Sequence, residues 1–264
     1  MIDFEKKTAL ITGSSSGIGK AFAETLAEKG ANVILLARSR NKLDDLAAVL
    51  RRDRHVRADV VVADLSDREA PERVHEAVRK LGLRVDVLIN NAGFGSHGPF
   101  HSLPARTVDE MIMVNVHAVA VLTRLFLPEM RERHDGIIIN VASTAAFQPT
   151  PFVAVYGATK AFVLSFSEAL WGEYRTEGIR VLALCPGATA TAFFETAGEG
   201  ATPGRRRRTV ESVVASALKA LARGKSFVVD GGLNYLGSQS VRLAPRQVVL
   251  RSAARIMRPR ARAE

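Results

Sequence analysis

Cysteine is almost absent from this sequence. Cys185 is the only cysteine in 264 residues, which excludes an internal disulfide bond and a zinc site built from several thiolates. The residue lies in the apolar run VLALCPG, so we expect it to be buried in the core. The histidines and acidic residues show no spacing typical of metal ligands, and no metal is expected.

Long apolar runs and flexible linkers are lacking as well. No continuous apolar run approaches the roughly 18 residues of a membrane span, and the charged start MIDFEKK lacks the apolar core of a signal peptide. No linker-like or repeated segment divides the chain. We therefore expect a cytoplasmic protein with one domain over residues 1–238 and a basic tail over residues 239–264.

Positive charge is confined to two segments. Residues 201–208 contain four arginines, and residues 239–264 contain seven arginines and one glutamate, which together account for the net charge of +10. A nucleic-acid-binding surface would spread its basic residues over a docking face, so no nucleic-acid partner is expected. The apolar residues and arginines of the tail fall on different faces of a helix. This predicts an amphipathic helix that packs on the domain or another subunit, or else rests on an anionic membrane or contacts a partner.

Short runs rich in Val, Ile and Leu alternate with segments of helical periodicity. We predict strands over 8–12, 32–37, 56–63, 85–90, 136–141, 179–185 and 227–229. Helices are predicted near 17–29, 41–53, 67–81, 107–133, 154–174 and 209–222. Because the strand runs are continuously apolar, each strand should be buried on both faces. The pattern predicts an α/β fold with a doubly wound, parallel seven-stranded sheet of Rossmann type, helices on both faces, and ligands at the carboxyl ends of the strands.

The stretch ITGSSSGIGK follows the first predicted strand. A triphosphate-binding loop would need glycine in place of Ser14 and serine or threonine in place of Ala21, so that class is excluded. The spacing of Gly13, Gly17 and Gly19 instead fits a turn that holds the pyrophosphate of a dinucleotide at a helix N-terminus. An ordinary loop rich in glycine and serine is the alternative.

Several motifs, in the expected order, resemble those of the short-chain dehydrogenase/reductase family. They are TGSSSGIG at 12–19, NNAG at 90–93, YGATK at 156–160 and PG at 186–187. Asn115, Ser143, Tyr156 and Lys160 match the catalytic residues of that family. The resemblance covers roughly residues 6–230. It implies a homodimeric or homotetrameric oxidoreductase that transfers hydride between a nicotinamide cofactor and a carbonyl or secondary alcohol.

The resemblance also implies a set of cofactor-binding residues. They are Gly13, Ser15, Ser16, Gly17, Ile18, Gly19, Asp64, Leu65, Asn91, Ala92, Gly93, Tyr156, Lys160, Pro186, Gly187, Thr189 and Thr191. At the end of the second strand, about 20 residues past the glycines, an NAD site carries a carboxylate, whereas this chain has Arg38. A guanidinium can bind a 2′-phosphate through two hydrogen bonds, so we expect the NADP(H)-dependent type with a C-terminal extension.

Tyr156 and Lys160 lie four residues apart and share one face of their predicted helix. A phenol has a pKa of about 10, and a neighbouring ammonium would lower that pKa. Tyr156 is therefore the candidate general acid, and Ser143 a candidate hydrogen-bond donor to the substrate oxygen. By resemblance, Lys160 also binds the nicotinamide ribose, and Asn115 holds a water that leads to Lys160. Taken singly, each residue also fits a structural role, such as a capping serine or a satisfied core amide.

Two other functions compete with hydride transfer. A serine hydrolase would need a Gly-x-Ser-x-Gly elbow, whereas Ser143 is flanked by Ala142 and Thr144. A non-catalytic NADP(H)-binding regulator or interaction protein of the same fold is the second alternative, and it would be expected to lose some of the reacting residues. The expected substrate is a small molecule with an apolar or acyl ketone. Candidate cleft residues are Phe94, Phe100, Phe147, Phe152, Phe193 and Phe194.

The four arginines at 205–208 have two interpretations. They form a solvated loop, or they attract an anionic carrier such as an acyl-coenzyme A or an acidic acyl carrier protein. In the second case the attraction should fade with added salt, because it is screened over about 8 Å at physiological ionic strength.

Overall fold

A computed structural model describes residues 2–190, 208–241 and 243–258 of the chain. Several residues singled out by the sequence lie outside the described residues. These are Thr191, Phe193, Phe194, Arg205, Arg206 and Arg207.

Seven strands form one parallel sheet at the centre of the molecule. They are β1 Thr8–Thr12, β2 Asn32–Ala37, β3 Ala58–Val62, β4 Val87–Asn90, β5 Gly136–Val141, β6 Ile179–Cys185 and β7 Phe227–Val229. Their order across the sheet is β3-β2-β1-β4-β5-β6-β7, and every pairing is parallel. The predicted doubly wound sheet is confirmed, with β3 and β4 shorter than predicted. The order reverses between β1 and β4, where a crevice opens at the carboxyl ends of the strands.

Nine helices accompany the strands in the described residues. They are α1 Gly17–Glu28, α2 Arg40–Arg54, α3 Ala70–Lys80, α4 Ala105–Ile112, α5 Ala118–Glu132, α6 Ala154–Tyr174, α7 Val210–Ala222, α8 Gly232–Ser240 and α9 Arg246–Met257. A π-helical turn, Met113–His117, joins α4 to α5. The single helix predicted over 107–133 is therefore interrupted near its middle.

Alternate residues of each strand face opposite helical layers. In β1, Ile11 packs in the core shared with α1, α2 and α7, whereas Leu10 packs in the core shared with α3, α5 and α6. Neighbouring strands follow the same alternation, as Leu35 and Leu36 do in β2. Burial on both faces explains the continuous apolar runs of the sequence.

One helical stretch departs from the sequence expectation about membrane spans. In the described chain, Ala105–Glu132 is long and apolar enough to cross a membrane, with a mean hydropathy of 1.6 in its most apolar window. The run looks interrupted in the sequence because Asn115, His117 and Arg124 break it. In the fold, Leu122, Phe126 and other side chains of α5 are buried against the sheet, so the packing is that of a core helix.

The C-terminal segment consists of α8 and α9. Helix α8 extends across the predicted domain boundary at residue 238, and α9 is the helix predicted for the tail. Ala253 of α9 is buried on the domain. Of the arrangements considered for the tail, packing on the domain is the one present in this structure.

Candidate active site

The glycine-rich turn is held by side chains of neighbouring strands. Gly13 has a φ of +66°, a conformation that favours glycine, and a Cβ on Gly19 would lie 2.4 Å from the oxygen of Gly13. The Asn91 amide donates hydrogen bonds to the carbonyl oxygens of Thr12 and Gly13 at 2.9 and 3.2 Å. The Thr12 hydroxyl in turn accepts from the backbone N–H groups of Asn91 and Ala92. The turn is therefore fixed to the end of β4 by side-chain hydrogen bonds.

The N-terminus of α1 fits a phosphate group. Ser16, the residue before the helix, makes no side-chain capping bond to α1 within the described structure. The amide groups of the first turn are thus available to an anion, which the helix dipole stabilises. Ser15, Gly17 and Ile18 line the cleft at this point.

Two charged residues mark the far end of the cleft. Arg38, directly after β2, lies 3.9 Å from the carboxylate of Asp64, which follows β3. Partial burial alone would raise the pKa of Asp64, but hydrogen bonds from Ser66 and the charge of Arg38 hold it below its ordinary value. The Arg38 side chain is mostly exposed, so it can turn towards a ligand phosphate. No carboxylate ends β2, in agreement with the sequence.

Asn115 lies in the π-helical turn and is fully buried. Its oxygen accepts from Phe94 N at 3.1 Å, and its amide donates to Phe94 O at 2.9 Å and to the Thr159 hydroxyl at 3.0 Å. The side chain therefore ties the loop after β4 to α6. A π-helical turn is a frequent mark of a functional site in a helix. The expected water between Asn115 and Lys160 stays a prediction.

Ser143 and Tyr156 meet at the floor of the cleft. Ser143 lies two residues after β5, and its hydroxyl caps the following turn by accepting from Ala145 N at 3.1 Å. The same side chain is hydrogen-bonded to the hydroxyl of Tyr156. Burial raises the pKa of Tyr156 to about 12, although the bond with Ser143 acts in the opposite direction. The expected net lowering of this pKa is absent here because desolvation is the larger effect.

Lys160 lies one helical turn beyond Tyr156 and is buried. Its ammonium donates to Val141 O at 2.8 Å and lies 5.8 Å from the centroid of the Tyr156 ring. Burial lowers the pKa of Lys160 to about 8. Cys185, the expected core cysteine, is buried nearby, and burial raises the pKa of its thiol.

Arg208 anchors the segment that follows β6. Its guanidinium contacts both carboxylate oxygens of the fully buried Asp230, at 2.9 and 3.2 Å. The backbone of Arg208 pairs with Ala188 and Ala190, next to the predicted cofactor residue Thr189. The hydrogen bond and charge of Asp230 raise the pKa of Arg208. Sequence reasoning grouped Arg208 with a solvated or carrier-binding loop, but this arginine is committed to an internal ion pair.

Helices α8 and α9 contribute part of the cleft lining. Leu233, Val248, Val249 and Ile256 line the cleft from this side. The end of α9 is attached to the loop after β4, where His97 Nε2 lies 2.9 Å from Met257 O. Because a carbonyl only accepts, the imidazole is the donor. The tail thus completes the cleft.

Most of the predicted site residues line a single cavity of about 1750 Å³. They are Gly13, Ser15, Ser16, Gly17, Ile18, Arg38, Asp64, Leu65, Asn91, Ala92, Gly93, Ser143, Tyr156, Lys160, Pro186, Gly187 and Thr189. Gly19 and Asn115 support the site from behind its lining. Among the proposed phenylalanines, Phe94 and Phe147 line the cavity, whereas Phe100 is exposed and Phe152 contacts the His97 ring.

Sequence reasoning missed a buried polar chain beneath the site. The Asn90 amide donates to Thr123 and to Asn140, and the Asn140 amide donates to Ser167. These bonds connect β4 and β5 to α5 and to α6, which carries Tyr156 and Lys160, while Asn115 and Ser143 lie just outside α5 and β5. Asn90 and Asn140, which are polar residues at the ends of buried strands, are the sequence signal for this network. Ser167 gives no such signal, because it lies in an ordinary helical segment.

The fold and this geometry agree with the comparisons with known proteins. The family model described as short chain dehydrogenase matches residues 7–201. The chain belongs to the short-chain dehydrogenase/reductase family, as the motifs imply.

One relative by sequence and two solved structures show how similar this chain is to individual family members. A very-long-chain 3-oxoacyl-CoA reductase from Anas platyrhynchos is 41% identical over 188 residues, which cover 69% of this chain and 60% of that protein. The chain thus matches less than two thirds of this relative. A short-chain dehydrogenase from Sphingobium yanoikuyae in complex with NADPH is 32% identical, with a TM-score of 0.83 and 98% of each chain covered. A family member from Burkholderia phymatum in complex with NAD is 25% identical, with a TM-score of 0.81 over 95% of this chain and 97% of that one.

Proposed function

We propose that this chain is an NADP(H)-dependent reductase of apolar ketones, with acyl ketones as the favoured class. The observation that carries the proposal is the group of Ser143, Tyr156 and the buried Lys160 in a cleft that apolar side chains of α8 and α9 also line. Membership of an oxidoreductase family supports the reaction type.

The chemistry follows from the state of each side chain. When bound, the reduced nicotinamide supplies a hydride to the carbonyl carbon of the substrate. Tyr156 gives its hydroxyl proton to the carbonyl oxygen, and Ser143 donates a hydrogen bond to the developing negative charge. Burial raises the pKa of Tyr156 to about 12, so at neutral pH the phenol carries the proton that carbonyl reduction requires. The charged Lys160, 5.8 Å from the ring centroid, favours the phenolate that remains.

Arg38 supports the choice of cofactor. A ribose 2′-hydroxyl needs an acceptor at the end of β2, whereas a 2′-phosphate needs a cation, and Arg38 is a mostly exposed cation at that end. The NADPH complex of the Sphingobium yanoikuyae protein also supports NADP(H), while the NAD complex of another relative shows that the fold accepts both cofactors.

The cleft wall supports an apolar substrate. Leu233, Val248, Val249 and Ile256 offer hydrocarbon contacts in the cavity that Tyr156 also lines, and burial of such contacts favours apolar ligands by about 25 cal/mol per Å². The 3-oxoacyl-CoA reductase named among the relatives acts on an acyl ketone, which makes that class the first to test.

A substrate panel tests the proposal. The purified full chain would be given NADPH or NADH with 3-oxoacyl-CoA esters of increasing chain length, their uncharged ester analogues and bulky apolar ketones, and loss of the reduced cofactor would be followed by absorbance. We expect turnover with NADPH that increases with the length of the apolar chain. Tight NADPH binding with no turnover on any ketone would favour the non-catalytic regulator instead.

The arginine loop is tested with the same panel. Since Arg208 is paired with Asp230, only Arg205, Arg206 and Arg207 would be changed to serine. Attraction of a carrier predicts a salt-sensitive loss of kcat/KM on the CoA ester alone. Equal kcat/KM values for the two kinds of ester, before and after the change, would leave only a solvated loop.

A further inference from the structure

Exposed apolar side chains are concentrated in one part of the molecule. Leu233, Leu236, Leu243 and Ile256 are 87%, 64%, 90% and 66% exposed, and Tyr235 and Val248 are also exposed. All six lie within α8, α9 and the turn between them, where they form what we term the α8–α9 rim. Elsewhere in the described chain, the exposed large apolar residues are single positions on separate elements. Contiguous exposed apolar surface marks an interaction site more often than scattered residues do.

The charges of the same segment have one sign. Residues 231–258 contain arginines at 242, 246, 251, 255 and 258 and no aspartate or glutamate. Arg251, Arg255 and Arg258 are exposed. The domain without its two basic segments is neutral, so the positive charge lies where the apolar side chains are exposed.

We propose that the α8–α9 rim binds the surface of an anionic lipid bilayer. Leucines that insert among the acyl chains and arginines that pair with lipid phosphates are the two requirements for binding at a membrane interface. A second protein with an apolar and acidic face is the alternative that the vesicle test below separates from a bilayer, whereas the phosphates of a soluble carrier would not require Leu236 and Leu243, which lie outside the cleft lining.

A bilayer bound to the α8–α9 rim would lie next to the mouth of the cleft. Leu233, Val248 and Ile256 are exposed and also line the cavity, so the rim borders the cleft mouth. A bilayer bound there would present apolar molecules to the mouth without their passing through water. The inference goes beyond the proposed reaction, and vesicle binding can be measured without any turnover.

The test is sedimentation of the full chain with sucrose-loaded vesicles. Vesicles of phosphatidylcholine alone would be compared with vesicles of equal parts phosphatidylcholine and phosphatidylglycerol, across a salt series. We expect binding to the anionic vesicles only, with a loss as salt increases. Equal affinity for the two kinds of vesicle, or no binding to either kind, would overturn the proposal.

Two double variants locate the contact. L236S/L243S removes apolar contacts outside the cleft and should weaken vesicle binding on the order of tenfold. R251Q/R258Q removes two charges and should weaken it by roughly 25-fold, at about fivefold for each arginine near an anionic surface. The controls are V49S and K42Q/R54Q on α2, which make changes of the same kind, apolar to serine and cation to glutamine, at exposed positions outside the rim.

The remaining outcomes separate other occupants of the rim. All the variants should keep wild-type turnover of a water-soluble ketone, which shows that they fold. If R251Q/R258Q raised KM for a CoA ester and left vesicle binding unchanged, the arginines would serve a carrier and the bilayer proposal would fail. If L236S/L243S left vesicle binding unchanged, the contact would be electrostatic adsorption alone, and the proposal would fail as well.

Discussion

The cofactor side and the substrate side of the cleft are built differently. On the cofactor side, the Thr12 and Asn91 side chains fix the glycine-rich turn through several hydrogen bonds, and the supporting strands are fully buried. On the substrate side, α9 buries Ala253 and is attached through the His97 contact, while Val248 and Ile256 are exposed. A rigid cofactor side suits one fixed ligand, whereas a loosely packed wall can accept ligands of several shapes.

Arginines show the same contrast. Arg208 is held by the buried carboxylate of Asp230 and fixes the backbone beside Thr189. Arg251 and Arg258 are exposed on a segment without acidic residues. Arginine therefore stabilises the site beside Thr189, whereas on α9 it faces outward. The positions of these arginines in the sequence did not reveal this difference.

The largest effect is expected for a change of Tyr156, which lies where the cofactor side and the substrate side of the cleft meet. Tyr156→Phe keeps the ring and removes the proton donor, so we expect ketone reduction to fall by about 10²- to 10⁴-fold. NADPH affinity, measured by fluorescence titration, should change little. Near-normal turnover in this variant would show that another group supplies the proton.

Arg38→Ala should act on the cofactor side alone. Loss of a charge-assisted bond to a 2′-phosphate should weaken NADPH binding by roughly ten- to a hundredfold and leave NADH binding nearly unchanged. Arg54→Ala, at the far end of α2, is the matched control for a lost surface charge. Equal affinities of the unmodified protein for NADPH and NADH would contradict the proposed cofactor preference.

The affinity for NADPH should also depend on pH through Lys160. Burial lowers the pKa of this ammonium to about 8 in the free protein, and the charged form is the stronger hydrogen-bond donor to ribose hydroxyls. Affinity is therefore greatest below pH 8 and falls as the pH rises through that value, by about tenfold at one unit above the pKa. Lys160→Met should bind more weakly and lose this pH dependence. A wild-type profile that stays flat from pH 7 to about 9 would exclude the titration of Lys160.

The sequence predicted the local geometry of the glycine-rich side of the cleft better than that of the α8–α9 wall, while cofactor binding at its residues stays a prediction. Gly13 and Gly19 flank the turn between β1 and α1, and Tyr156 and Lys160 lie one turn apart on α6, as their spacing in the sequence indicates. The ion pair between Arg208 and Asp230 joins residues 22 positions apart, and no local pattern predicts it. The tail was predicted as a helix, but its place on the cleft depends on tertiary contacts. Cytoplasmic location and a homo-oligomeric state stay predictions.

The smallest effect is expected at His97, which acts as a positioning residue for the substrate wall. His97→Ala removes the donor to Met257 O and the ring contact with Phe152, so α9 should be held less closely over the cleft. One lost hydrogen bond is worth about 1 kcal/mol. We therefore expect KM for an apolar ketone to rise about fivefold, with kcat and NADPH affinity nearly unchanged.

Two variants separate this role of His97 from a general loss of stability. His97→Gln keeps an N–H donor of similar reach and should restore most of the lost substrate affinity. His101→Ala changes an exposed histidine in the same loop region and should have no effect on KM. If His97→Ala weakened NADPH binding as much as ketone binding, the two sides of the cleft would be coupled through this loop. The division between a fixed cofactor side and an adaptable substrate wall would then be wrong.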